Sequence, residues 1–161
     1  MTIKVGDKLP SVTLRQVTPE GPKEVATDDF FRGKKVALFA VPGAFTPACS
    51  QRHLPGYVDK ASDIKGKGVD EVACVAVNDP AVMTAWGKDQ RAEGRVTMLA
   101  DGSGDFVRAL GLELDLTKAG LGMRSKRYSM LVDNGIVKSL NIEEQPGQVD
   151  ASSAETMLRA L

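Results

Sequence analysis

Only two cysteines, Cys49 and Cys74, and one histidine, His53, occur among 161 residues. So sparse a set cannot form the disulfide framework of a small secreted domain. Any cysteine chemistry is therefore expected to be catalytic rather than structural. Charge of one sign is not in excess: Lys plus Arg and Asp plus Glu are 21 each. That balance argues against nucleic acid or an acidic membrane surface as a partner. The longest apolar runs, 36–42 and 72–77, are far too short to span a bilayer. The segment from Met1 to Asp7 shows no apolar signal stretch, and a reduced, cytoplasmic protein is the expectation. There is no internal repeat, low-complexity tract or linker. What is present is an ordinary globular composition, 42% hydrophobic and 26% charged. Its length suits a single domain over residues 1–161 with a sizeable core.

Within that chain the run Pro42-Gly43-Ala44-Phe45-Thr46-Pro47-Ala48-Cys49 is the most informative stretch. It follows an apolar segment, Lys35 to Val41, that reads as a buried strand, and leads into Ser50 to Lys65, which reads as a helix. Thr46 is the expected N-cap and Pro47 the first helical residue. Cys49 then falls at the third helical position. Unpaired backbone N–H groups and the positive end of the helix dipole favour an anion there, and so favour thiolate over thiol. In a capping box this position holds Glu or Gln; here a thiol occupies it.

The remaining pattern supplies the fold. Val12, Leu14 and Gln16 alternate between Pro10 and Pro19 and predict an edge strand or hairpin continuing into Lys23 to Thr27. A helical turn over Asp28 to Arg32 ends at Gly33. Strand 35–41 and helix 47–65 follow, with a kink expected at Pro55. Strand 71–77 comes next, then a helix capped by Asp79-Pro80 and running to about Glu93. A short strand (97–100) and a short helix (105–110) lead to a hairpin. Its strands, 128–132 and 136–140, flank Asn134-Gly135, the strongest short hairpin signal. Ser152-Ser153-Ala154-Glu155 reads as a capping box for a closing helix. The order from Lys35 is βαβ, then a short helix, then ββα. It predicts an α/β, thioredoxin-like fold with an N-terminal β extension and an inserted short helix. The first strand-to-helix junction of that fold is its redox position. Thr46-Pro47-Ala48-Cys49 there lacks the second thiol needed to close a short dithiol disulfide.

At these residues the chain resembles the peroxiredoxin family. Pro42, Thr46 and Cys49 fit its P-x-x-x-T-x-x-C signature. The continuation Ser50-Gln51-Arg52-His53-Leu54-Pro55-Gly56 is similar to the type II, atypical branch. Val77-Asn78-Asp79-Pro80, Trp86-Gly87-Lys88 and Arg124-Ser125-Lys126-Arg127-Tyr128 extend the likeness over nearly the whole chain. The resemblance implies a thiol peroxidase without cofactor or metal. Its substrates would be hydrogen peroxide and organic hydroperoxides, and its reductant glutaredoxin with glutathione or thioredoxin. A homodimer is implied as well. Cys49 would attack the O–O bond and become a sulfenic acid. Thr46 would hydrogen-bond thiolate and peroxide, and Arg124 would stabilise the growing negative charge. Pro42 would shield the site, and the backbone amides of Ala48 and Cys49 would complete the oxygen pocket.

Several residues carry two readings. Arg124 lies in a cluster with Lys126 and Arg127. The branch pattern points to Arg124, with Arg127, just before a strand, as the fallback. His53 is four residues after Cys49, on the same helix face; it either activates the nucleophile or packs beside the site without acting as a base. Cys74, in Val72-Ala73-Cys74-Val75-Ala76, is either a core strand residue or a resolving cysteine. The resemblance places a second cysteine at this position in part of the branch. Phe45, Leu121 and Met123 either line an apolar mouth for alkyl hydroperoxides or simply pack. Asp101 and Asp105 miss the calcium-loop spacing. The rival function is a non-catalytic thioredoxin-fold redox sensor or holdase switched by Cys49 oxidation. Thr46 and Arg124 favour the enzyme, since a sensor needs no peroxide-orienting groups.

Overall fold

The computed structural model describes residues 2–161. Its centre is strand β3 (Lys35–Val41), in which Val36 to Val41 are completely buried. Burial on both faces is what the unbroken apolar run of a central parallel strand requires. β3 pairs in parallel with β4 (Glu71–Ala76), and β4 pairs in parallel with β5 (Thr97–Ala100). The predicted N-terminal hairpin is β1 (Thr13–Gln16) with β2 (Lys23–Ala26), added antiparallel to the outer edge of β5. The hairpin at Asn134-Gly135 is β8 (Tyr128–Asp133) with β9 (Ile136–Ile142). β8 runs antiparallel to β3. The seven strands order as β2-β1-β5-β4-β3-β8-β9.

Helices cover both faces. On one side α2 (Leu54–Lys65), α3 (Pro80–Asp89) and α5 (Ala154–Ala160) bury Tyr57, Trp86 and Met157 against Phe39 and Cys74. On the other, α1 (Thr27–Phe31) and α4 (Asp105–Leu110) pack Phe31 and Phe106 against Leu38 and Val75. Asp79 caps α3 as expected, accepting from the Val82 N–H at 2.8 Å. Asp101 spends its carboxylate on the N–H groups of Phe106 and Val107 at the start of α4. A small second sheet of β6 (Glu113–Leu116) and β7 (Gly122–Ser125) has no counterpart in the sequence reading.

Two local expectations are corrected. Ser153, not Ser152, caps α5, accepting from the Thr156 N–H, because the Ser152 hydroxyl is committed to Glu143. The long helix is also not α-helical throughout. After a first turn at Pro47 and Ala48, residues Cys49–His53 form a π-helical turn, closed by the Leu54 N–H on the Cys49 carbonyl. Pro55 explains it. Its ring has no N–H and crowds the carbonyl four residues back. A turn widened by one residue relieves that clash.

Candidate active site

The site forms where β3 ends. Its Ala40 lies opposite Tyr128 of β8, so Arg127, one residue earlier, comes level with Val41 and the loop that follows. Side chains alternate along a strand. Arg127 therefore shares the face of Ser129 and Phe39, the face covered by α2.

The loop from Pro42 to Thr46 is tightly built. Pro42 and Gly43 are buried. The Ala44 N–H donates to Asn78 Oδ1 at 2.9 Å, and the Thr46 hydroxyl donates to the Gly43 carbonyl at 2.6 Å. Phe45 takes a left-handed conformation, φ 65°, which is costly for a non-glycine residue. Gly43 lets Arg124 approach closely: a Cβ there would lie 2.9 Å from Arg124 Nη1, and the guanidinium would have to shift. The Thr46 side chain thus does not cap the helix and makes no hydrogen bond to Cys49. This corrects both expectations, because its proton already closes the turn back to Gly43.

Cys49 and Cys74 are both free and fully buried. The cation on the Cys49 sulfur is Arg127, not Arg124. Arg127 Nη2 donates to Sγ at 3.1 Å, Nη1 meets His53 Nδ1 at 2.9 Å, and Nε donates to the Pro146 carbonyl at 2.9 Å. Arg124 instead donates from Nε to the Leu121 carbonyl (2.8 Å) and from Nη1 to the Pro42 carbonyl (3.3 Å). Its strand belongs to the second sheet, so it braces the loop from the side.

His53 is buried and held from both ends. Nε2 donates to the Ser152 carbonyl at 3.0 Å, while Nδ1 accepts from Arg127. Burial, reinforced by the adjacent guanidinium, lowers its pKa from 6.5 to about 3. It is neutral, and its only basic nitrogen is already used. His53 thus packs beside the site and orients Arg127, and is no base for Cys49. Phe39 stacks on Tyr57 (4.0 Å between centroids) and lies against the His53 ring (4.8 Å).

Cys74 sits within β4 with partners on both sides, Phe39 and Met98. Burial pushes its thiol well up, away from ionisation. Phe45 and Met123 are about half exposed, at 52% and 53%, and Leu121 is partly buried. Trp86 donates from its indole N–H to Ser50 Oγ at 2.9 Å, one residue from Cys49. The sequence reading had no place for Tyr57 or Glu143 and saw Ser152 only as a helix cap, although Ser152 receives both His53 and the Tyr57 hydroxyl (2.8 Å) on its carbonyl.

A buried thiol at the start of a helix, held by a fixed guanidinium, defines a cysteine-based redox centre. Residues 4–158 match the Redoxin family, and the chain belongs to that family's peroxiredoxins. It is 52% identical to chloroplastic Peroxiredoxin-2E of Arabidopsis thaliana, over 99% of this chain and 70% of that protein. Identity to Peroxiredoxin-2D of Arabidopsis thaliana is 48%, over 99% and 98%. Among solved structures, reduced Prx3 of Vibrio vulnificus in complex with hydrogen peroxide superposes with a TM-score of 0.93. The identity is 52%, and 99% of each chain is covered. The protein is accordingly a thiol-dependent peroxidase, an oxidoreductase with the expected thioredoxin-like fold.

Proposed function

We propose that Cys49 is the residue that reduces peroxide and that Arg127 is its principal electrostatic partner. The sulfur anion attacks one oxygen of ROOH and the O–O bond breaks. The leaving RO⁻ takes the proton that the thiol gave up and departs as ROH. Cys49 is left as a sulfenic acid, oxidised by two electrons while the peroxide is reduced by two. During attack, negative charge moves from sulfur to the departing oxygen. A preorganised donor in a water-poor site lowers that barrier more than it would in bulk water. The observation that carries this reading is the Arg127 Nη2 to Cys49 Sγ contact of 3.1 Å.

The other residues take supporting roles. Thr46, its proton fixed on Gly43, offers lone pairs that accept from the peroxide O–H. The first-turn amides of Ala48 and Cys49 donate to the peroxide oxygens, and buried Pro42 keeps water out. Arg124 braces the loop. Phe45, Leu121 and Met123 form the rim that accepts an alkyl hydroperoxide.

Regeneration is by external thiols, through glutathione with glutaredoxin or through thioredoxin. One thiol displaces water from the sulfenic acid to give a mixed disulfide; a second releases Cys49. The burial of Cys74 between two paired strands supports this route over an internal disulfide. A homodimer and a reducing, cytoplasmic setting belong to the same reading.

The test is mass analysis after one equivalent of peroxide, with a sulfenic-acid trap present. A trapped adduct on Cys49 is expected. Oxidation confined to Cys74, with Cys49 intact, would overturn the assignment.

A further inference from the structure

Two of the contacts that aim Arg127 end on one exposed loop or its anchor. Residues 144–148 and 150 are exposed. Yet the Pro146 carbonyl in this loop holds Arg127 Nε, and the Gly147 carbonyl holds Arg52 at 2.6 Å. At the far end the Ser152 carbonyl holds His53, which in turn holds Arg127 Nη1. An exposed segment of this length does not keep its carbonyls aimed without something to offset its entropy.

Besides the turn bonds between Gln145 and Gln148, what offsets it is Glu143. This side chain follows β9 and is buried, with 8% of the residue exposed. A single oxygen, Oε2, accepts from the Asp150 N–H (2.7 Å), the Ser152 N–H (2.8 Å) and the Ser152 hydroxyl (2.6 Å). The Glu143 backbone N–H donates to the carbonyl of Arg127 itself at 2.9 Å. Burial would push this carboxyl up, but the donors of Ser152 and Asp150 outweigh it and hold it below its ordinary value. Charge-assisted bonds of this kind are the strong ones. The carboxylate therefore ties the far end of loop 144–151 back to Glu143, whose own backbone holds the near end on Arg127, and so closes the frame against which Arg127 is aimed.

We propose that Glu143 is a positioning residue for the peroxide step. By closing loop 144–151 it sets the Pro146 and Ser152 carbonyls, and these orient Arg127, directly and through His53, onto the Cys49 sulfur. The proposal rests on the assignment of Cys49 and Arg127 above.

The test compares two reactions of Cys49 in the same samples. Peroxide reduction needs an aimed guanidinium, whereas alkylation by iodoacetamide needs only a reactive thiol. The readout is the ratio of the two rate constants. In Glu143→Ala the ratio should fall about tenfold, the scale of a misaligned donor. Glu143→Gln, which keeps one acceptor oxygen, and Ser152→Ala, which removes one donor of three, should fall less, in that order. These two decide the matter if Glu143→Ala does not fold. In an Arg127→Gln background Glu143→Ala should lower the ratio no further, since coupled residues are not additive. An unchanged ratio in all three variants, or an undiminished further loss in the Arg127→Gln background, overturns the proposal. If Arg127→Gln itself leaves the ratio at the wild-type value, the assignment of Arg127 fails, and the proposal with it.

Discussion

The Arg127 guanidinium touches Cys49 and His53 at once, with Nη2 3.1 Å from Sγ and Nη1 2.9 Å from Nδ1. The fork is planar and rigid, so the neutral imidazole fixes the direction in which Nη2 points. Arg127→Gln is expected to slow peroxide reduction on the order of a hundredfold. Arg127→Lys, which keeps the charge but not the fork, should fall in between. Arg124→Gln, which loses only bracing contacts to carbonyls, should cost about tenfold or less. Full ionisation of an ordinary thiol near neutral pH gains only about tenfold, so alkaline pH should not restore Arg127→Gln. Stopped-flow fluorescence of Trp86, bonded to Ser50, gives the rates. An Arg124→Gln defect as large as that of Arg127→Gln would reverse the assignment.

His53 also sets a pH dependence. Its value is about 3 in the folded protein against 6.5 ordinarily. Between those values the unfolded chain holds a proton that the folded protein does not. Stability therefore falls as the pH falls through this window. It is the only histidine, and the Glu143 carboxyl is held below its ordinary value by the donors of Ser152 and Asp150. The melting temperature of the wild type should drop between about pH 6.5 and pH 5. His53→Gln, less stable at neutral pH, should show a nearly flat profile there. Parallel profiles for the two proteins would mean that His53 is not held neutral.

Much of this was legible before any coordinates. The apolar run of β3, the Asn134-Gly135 hairpin and the Asp79-Pro80 cap are local signals, and local chemistry decides them. The same holds for the placement of Cys49 in the first helical turn. The choice between Arg124 and Arg127 was not local. It depends on the register Ala40 to Tyr128, which brings the residue before β8 to the end of β3. Counting back from the hairpin turn would have favoured Arg127, because a residue just ahead of a central strand shares that strand's end of the sheet. The π-helical turn was foreshadowed only as a kink at Pro55. Glu143 and Ser152 were out of reach: their partners lie 7 to 9 residues apart in a loop without periodicity.

Thr46 makes a separable contribution. Its hydroxyl proton is held by the Gly43 carbonyl at 2.6 Å, so the lone pairs are left to face an incoming O–H. Thr46→Ser keeps this arrangement and should stay within a few-fold of wild type. Thr46→Val keeps the shape but loses both the donor and the acceptor, and should slow peroxide reduction about tenfold or more. Iodoacetamide alkylation of Cys49 should change much less in either variant. Equal rates for Thr46→Val and Thr46→Ser would remove the hydroxyl from the mechanism.

The last prediction concerns the second cysteine. Cys74 is fully buried in β4, opposite Phe39 on one side and Met98 on the other. To reach a sulfenic acid on Cys49 it would have to leave a strand that is hydrogen-bonded on both edges, at the expense of core packing. Disulfide geometry also requires the two Cα atoms within about 7 Å. Its thiol is moreover pushed toward the protonated, unreactive form by burial. An external thiol needs only the helix start at Cys49 to open, and the π-helical turn that begins at Cys49 itself is a weak point at which opening begins. Cys49→Ser should therefore abolish turnover. Cys74→Ala, which leaves no orphan hydroxyl in the core, should keep wild-type single-turnover kinetics. It should also keep steady-state activity with glutathione and glutaredoxin or with thioredoxin. If Cys74→Ala lost turnover with every reductant while still forming a sulfenic acid on Cys49, the strand would have to open in each cycle, and Cys74 would be the obligatory resolving residue.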